Sequence, residues 1–146
     1  MKNKLALYAF LFLVFAVLWN IGADYYARKF HENIQQHKTV YVYDQEYNVI
    51  NPVLIITDID DKDSLISYYQ KQENGVKNPG FNFALQTVPF NMPCYLLGYN
   101  DSLLAEIVYY ENNDLKSRNY VKGYVFSKKL HNSPPPDSLL KNRLKK

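Results

Sequence analysis

Cysteine occurs once in the 146 residues of this chain, as Cys94, so neither an internal disulfide nor a multi-cysteine metal site can be built from it. In the apolar setting Pro93-Cys94-Tyr95-Leu96-Leu97 this thiol is expected to act as a small buried hydrophobe. Glycine is also scarce, at five, and none is spaced as a P-loop or dinucleotide fingerprint, so nucleotide chemistry has no support. The three histidines, His31, His37 and His131, are dispersed and lack the neighbours of a metal site or catalytic triad. Each is expected at the surface. With no nucleophile-and-base pair, paired acid or metal set, the sequence offers no catalytic residue, no cofactor and no metal ligand, and an enzyme is not expected.

What the chain does have is a long apolar run. Leu5 to Trp19 carries no polar group except the Tyr8 hydroxyl, and Asn20-Ile21-Gly22-Ala23 extends it. At about 1.5 Å per residue such a helix just crosses a hydrocarbon core of roughly 30 Å. Lys2 and Lys4 precede it, and Trp19, Tyr25, Tyr26, Arg28 and Lys29 follow as the aromatic and basic dressing of a membrane interface. A retained anchor is favoured over a cleaved signal, because an aromatic collar and a helical continuation would serve no purpose in a removed peptide. The short charged N-terminus is expected to stay in the cytoplasm while the rest is exported. The Lys- and Asn-rich composition, with no eukaryotic sorting signal, points to a bacterial inner membrane and a periplasmic C-terminal domain.

Four regions follow: an N-terminus and transmembrane anchor over 1–23, a helical stalk over 24–38, a β-rich globular domain over 39–131, and a Pro-rich spacer with a basic tail over 132–146. Thr39 to Tyr43 and Val53 to Thr57 read as strands, with a turn over Asp44 to Asn48. A short helix fits between Asp61 and Gln72, with Asp61, Asp63 or Ser64 as N-cap and Gly75 as terminator. Phe81 to Val88, Cys94 to Tyr99, Leu104 to Glu111 and Tyr120 to Leu130 complete a small antiparallel architecture. No internal repeat is visible at any period. Pro134-Pro135-Pro136 cannot join a sheet and is expected to be extended polyproline, projecting Lys141, Arg143, Lys145 and Lys146. Residues 24–115 carry 6 basic and 13 acidic side chains, and residues 116–146 carry 9 and 1. That basic end suits an anionic lipid surface or an acidic partner, and a Lys-rich end is equally at home in water.

Gly123-Tyr124-Val125-Phe126-Ser127-Lys128-Lys129-Leu130 resembles the closing Gly-Trp-Val-x-Ser-x-x-Leu element of bacterial Src-homology-3-type domains. Cys94 to Tyr99 is similar to that family's Val-x-Val-Leu-Gly strand, and Ala105 to Tyr110 to the strand that follows. The resemblance runs from Val88 to Leu130, with Tyr124 in place of the family's Trp and no early Arg-x-Gly-Pro stretch. It implies an α+β, mainly β fold: a small, partly open antiparallel barrel with one inserted short helix, residues 51–87 being an enlarged insertion. It also implies a binding module for proline-rich or cell-wall peptides.

In the carboxylate cluster Asp58, Asp60, Asp61 and Asp63, Asp58 and Asp60 resemble the start of a calcium loop, but Lys62 takes the third ligand position and no turn glycine or closing Glu follows, so helix capping explains the cluster better. Asn100-Asp101-Ser102 matches a glycosylation acceptor and is read as a turn. Lys116, Arg118, Tyr120, Lys122 and Tyr124 interleave as in a single-strand binder, a role that export makes unsuitable, and no nucleic acid partner is expected. Strand alternation turns some tyrosines outward, and Tyr41, Tyr43, Tyr99, Tyr110, Tyr120 and Tyr124 are the candidate partner surface. Cross-strand pairing is the competing use for them. Two functions are therefore expected: an anchored module that binds a partner protein or peptidoglycan peptide, or an accessory subunit whose helix packs into a larger membrane complex.

Overall fold

The computed structural model describes residues 2–46, 49–76, 79, 86–89, 91–111 and 119–137. Its chain divides into two units, 1–36 and 37–146. The first is one continuous helix, α1, Lys2–Gln35. At about 1.5 Å per residue it is roughly 50 Å long, more than a bilayer core requires. Residues 7–21 are exposed apart from half-buried Ala16, and Leu7–Gln35 has the length and composition of a membrane anchor or signal sequence.

The second unit is built on an antiparallel sheet. β1 is Lys38–Val42, β2 Asp44–Glu46, β3 Val49–Asn51, β4 Val53–Ile55, α2 Lys62–Glu73, β5 Gln86–Val88, β6 Pro93–Tyr99, β7 Leu104–Tyr110, β8 Tyr120–Phe126 and β9 Leu130–His131. Five strands lie in the order β8-β7-β6-β1-β9. Two ribbons, β2-β3 and β4-β5, stand outside that order. No closed barrel forms among the described residues.

Period-two alternation decides the core. Val40 and Val42 of β1, Cys94 of β6, Ala105, Ile107 and Tyr109 of β7 and Val125 of β8 turn to one side. There they meet Leu65 and Tyr69 of α2 and all three residues of β4. The sheet buries part of its other face as well, since Val108 and Tyr110 of β7 and Tyr95 of β6 are covered too.

Several boundaries differ from the sequence expectation for identifiable reasons. The turn expected over Asp44 to Asn48 instead opens with a strand, and the β2-β3 register pairs Asp44 with Asn51. The strand expected from Tyr120 to Leu130 is cut by a 3-10 turn at Ser127–Lys129. Ser127 N donates to Leu103 O at 2.7 Å and Ser127 Oγ to Ser102 O at 2.8 Å, which bends the chain so that β9 can pair with β1. In α2, Asp61 holds the N-cap position without a side-chain bond, while Asp58 caps the preceding 3-10 turn by accepting from Asp60 N at 3.0 Å. Gly75 ends α2 at φ 83°, with Gly75 N on Gln72 O and Val76 N on Lys71 O, the paired bonds of a Schellman cap. Of the strand expected from Phe81 to Val88, the part from Phe81 to Leu85 lies outside the described residues. Within the spacer, Pro134 and Pro136 are exposed and Pro135 is buried.

One contact ties the β4-β5 ribbon to the outer edge of β8. Ile56 N donates to Tyr124 O at 3.1 Å and Tyr124 N donates to Ile56 O at 2.8 Å. Gly123 makes the approach possible, since a Cβ there would collide with Ile56 O and lie 2.8 Å from Ile55 Cγ1. Gly123→Ala is expected to cost about 2 kcal/mol, the usual scale of overpacking in a well-filled site. Urea unfolding followed by near-UV circular dichroism reads this directly, and an unchanged midpoint would mean that the ribbon is not held where described.

Candidate functional site

Three groups of residues have a claim on function. The first is the junction of the apolar helix with its polar continuation. Trp19, Tyr25 and Tyr26 are all exposed. Lys29 Nζ lies 5.5 Å from the Tyr25 ring centroid, and Arg28 Nε donates to Asp24 O at 3.4 Å. Aromatic rings followed by cations within about three turns of helix are what an interfacial collar requires.

The second group is the face of the sheet opposite the main core. Tyr41, Tyr95, Tyr110, Tyr120 and Tyr124 fall on it by strand register. Tyr110 stands directly across from Tyr120, their rings 6.1 Å apart, and meets Tyr95 edge-on at 6.1 Å. Burial raises the phenol pKa of both Tyr95 and Tyr110, and neighbouring phenols add to it. Tyr124 Oη donates to Glu106 Oε1 at 3.2 Å, and Lys122 pairs with the same carboxylate oxygen at 3.0 Å.

Exposure sorts the six tyrosines singled out from sequence. Tyr99 and Tyr120 are 62% and 41% exposed and open to a partner, whereas Tyr43 and Tyr110 are 4% and 2% exposed and serve packing. Tyr41 and Tyr124 are half-buried. Tyr99 and Tyr120 sit at opposite ends of their strands, so the six do not form one patch. Lys116, Arg118, Lys141, Arg143, Lys145 and Lys146 lie outside the described residues.

The third group was missed by sequence reasoning. At the corner between β1 and β2, Asp44 is the one charged residue that is buried among the described residues. Its Oδ1 takes Lys129 Nζ at 2.6 Å, and the two side chains are only 12% and 16% exposed. The same ammonium lies 5.5 Å from the Tyr69 ring centroid. Tyr69 stacks on Phe126 at 5.1 Å and 8°, and its hydroxyl accepts from Leu54 N at 2.9 Å. Burial drives the Tyr69 phenol well above its ordinary value, the Leu54 amide pulling weakly the other way and Asp44 adding to the rise. Beside the pair, His131 stacks on Tyr43 at 3.7 Å and 13°, and its Nε2 is 3.0 Å from Tyr43 O. The expectation of surface histidines is therefore corrected: His131 is half-buried in this stack, and His31 and His37 are half-buried too. An aspartate that opens a short strand and a Lys-Lys before a terminal strand carry no local signal of pairing, because 85 residues separate them.

Chemically this corner is a clamp. It ties the 3-10 turn and β9 to β1, and its ionic groups are already paired with each other. Among the described residues no three His, Cys, Asp or Glu side chains gather as metal ligands would. Cys94 is fully buried, its thiol 3.7 Å from Met92 O, and burial pushes its pKa up to about 12.

Comparison with protein families, curated proteins and solved structures finds no match for this chain.

Proposed function

We propose that this is a single-pass envelope protein of a bacterial inner membrane, its N-terminus in the cytoplasm, whose periplasmic domain binds a partner protein or cell-wall peptide close to the bilayer. The observation that carries the reading is an exposed apolar helix attached to a β unit with a buried core of its own. Burying some twenty apolar side chains in lipid rather than water is strongly favourable, at about 25 cal/mol per Å2 of apolar surface. The domain is read as a partly open, Src-homology-3-like barrel. In support, β1 lies between β6 and β9, β6 to β8 form a meander, and a 3-10 turn precedes the short last strand. The segment that resembles the family, Val88 to Leu130, is the segment that supplies β6, β7, β8 and the start of β9. Tyr99 and Tyr120 are the open aromatic rings for stacking on a peptide or glycan.

A second reading, an accessory subunit of a larger membrane complex, is favoured by one feature of α1. Phe12, Phe15 and Trp19 wall a shallow apolar groove over Ala16, closed at one end by Asn20. Asn20 Nδ2 bonds back to Ala16 O at 2.9 Å, leaving its side-chain oxygen for a neighbouring helix.

Protease added to spheroplasts is expected to remove the domain and spare a small N-terminal fragment. Protection of residues 39–146 would overturn the topology. Retention of the domain on purified peptidoglycan supports the binding module, and stoichiometric membrane partners in mild detergent support the accessory subunit.

A further inference from the structure

The tripeptide Asp-Ser-Leu occurs three times, at 63–65, 101–103 and 137–139, and takes three of the seven serines in the chain. Nine aspartates and seventeen leucines scattered over 146 residues would seldom bracket a serine even once. The two described copies share a pattern of burial, although one opens a helix and the other is a hairpin tip. Asp63 and Ser64 are exposed in the first turn of α2, and Leu65 is fully buried in the core. Asp101 and Ser102 are exposed between β6 and β7, and Leu103 packs against the same core. In each case the leucine anchors the backbone while the hydroxyl stands in solvent.

The hairpin tip is the better formed of the two. Asp101 Oδ1 accepts from Leu103 N at 2.7 Å and Leu104 N at 2.9 Å, which fixes the turn. The carbonyl of Ser102, not its hydroxyl, takes the bond from Ser127 Oγ. We propose that Asp-Ser-Leu is an acceptor motif for O-linked glycosylation, with Ser102 as the principal site, Ser64 as a second, and Ser138 as a third by its sequence. The proposal rests on export of the domain. Outside the cytoplasm no nucleoside triphosphate supplies phosphoryl groups, and the activated donor available at a membrane face is a sugar carried on a lipid pyrophosphate.

In the reaction Ser102 Oγ attacks C1 of the sugar, so that an Oγ–C1 bond forms as the bond from C1 to the pyrophosphate oxygen breaks. The pyrophosphate leaves with the electron pair, and the hydroxyl proton passes to a base of the transferase. The Asp101 carboxylate holds the tip in shape and presents a negative charge beside the acceptor. Asn100-Asp101-Ser102 is also an amide-linked acceptor pattern, so the test has to separate the two linkages.

Intact mass spectrometry of the full-length protein, extracted in detergent from its native membranes, provides that test. The expected mass exceeds that of the polypeptide by whole glycan increments. Ser102→Ala removes one increment, and the triple Ser64→Ala, Ser102→Ala, Ser138→Ala protein returns to polypeptide mass. Ser102→Thr and Asn100→Gln keep the increment. Polypeptide mass in the parent protein, loss of the increment in Asn100→Gln, an increment of phosphate size, or increments surviving the triple substitution would each overturn the proposal. Spheroplast proteolysis separates its failure from that of the topology: a digested but unmodified domain refutes glycosylation alone, and a protected domain refutes export and glycosylation together.

Discussion

Raising the pH from 8 to 11 is expected to remove about 4 kcal/mol of folding stability through two buried groups alone. Cys94 has an ordinary pKa of 9.0 and is pushed by burial to about 12. Tyr69 is raised from 10.0, again chiefly by burial. In the unfolded chain both groups ionise at their ordinary values, while in the folded domain both stay neutral, so the folded state holds the extra protons. Stability is therefore complete below pH 9 and falls as pH rises through the window above it. At roughly 1 kcal/mol or a little more per pH unit and group, Cys94 contributes the larger share, about 3 kcal/mol, and Tyr69 about 1 kcal/mol by pH 11. Both side chains are at most 2% exposed, so solvent screening removes little of this. Tyr95, Tyr109 and Tyr110 are raised in the same direction by burial and steepen the loss. Urea midpoints measured from pH 8 to 11 check the profile, and Cys94→Ala should flatten it by the cysteine share. A level profile in the parent protein would contradict the burial of these groups.

Lys129→Met is expected to destabilise the domain by about 3 kcal/mol, the low end of the cost of stranding one partner of a buried ion pair. Asp44 would keep its place at the β1-β2 corner without its 2.6 Å partner, and Tyr69 would lose the ammonium near its ring. The low end applies because both groups retain some solvent contact. Combining Lys129→Met with Asp44→Leu removes the stranded charge, so the double variant should be more stable than the single one. Lys128→Met is the contrasting control. Its partner Glu73 is 3.0 Å away, but the side chains are 58% and 41% exposed, and a change within about 0.5 kcal/mol is expected. Thermal melting in detergent checks all three. Equal melting of the Lys128→Met and Lys129→Met proteins would remove the clamp from the account of how β9 is held.

Legible in the sequence are those elements whose cause is local. Lys38 to Val42, Pro93 to Tyr99 and Leu104 to Tyr110 carry β-branched and aromatic residues in runs of strand length, and each is a strand within a residue or two of the expected limits. The helix before Gly75 is likewise set by nearby residues, since a positive-φ cap follows a turn of apolar positions. The candidate surface was less legible. Tyr41, Tyr99, Tyr110, Tyr120 and Tyr124 fall on strands and Tyr43 falls between β1 and β2, but alternation does not distinguish Tyr110, covered within the domain, from Tyr120, directly opposite it and exposed. That difference depends on neighbours brought from other parts of the chain.

By itself the sequence determined a long exposed apolar helix, an antiparallel β-rich unit with one short helix after it, and a cysteine destined for the interior, because hydrophobic run length, period and residue type act within a few neighbours. Tertiary structure alone decided that the last predicted strand would break at Ser127, that Gly123 would admit the β4-β5 ribbon, and that Asp44 would meet Lys129 across 85 residues. Each of these follows from which strand edges and charged ends come together once the core has closed, and such long-range pairings leave no trace in local composition.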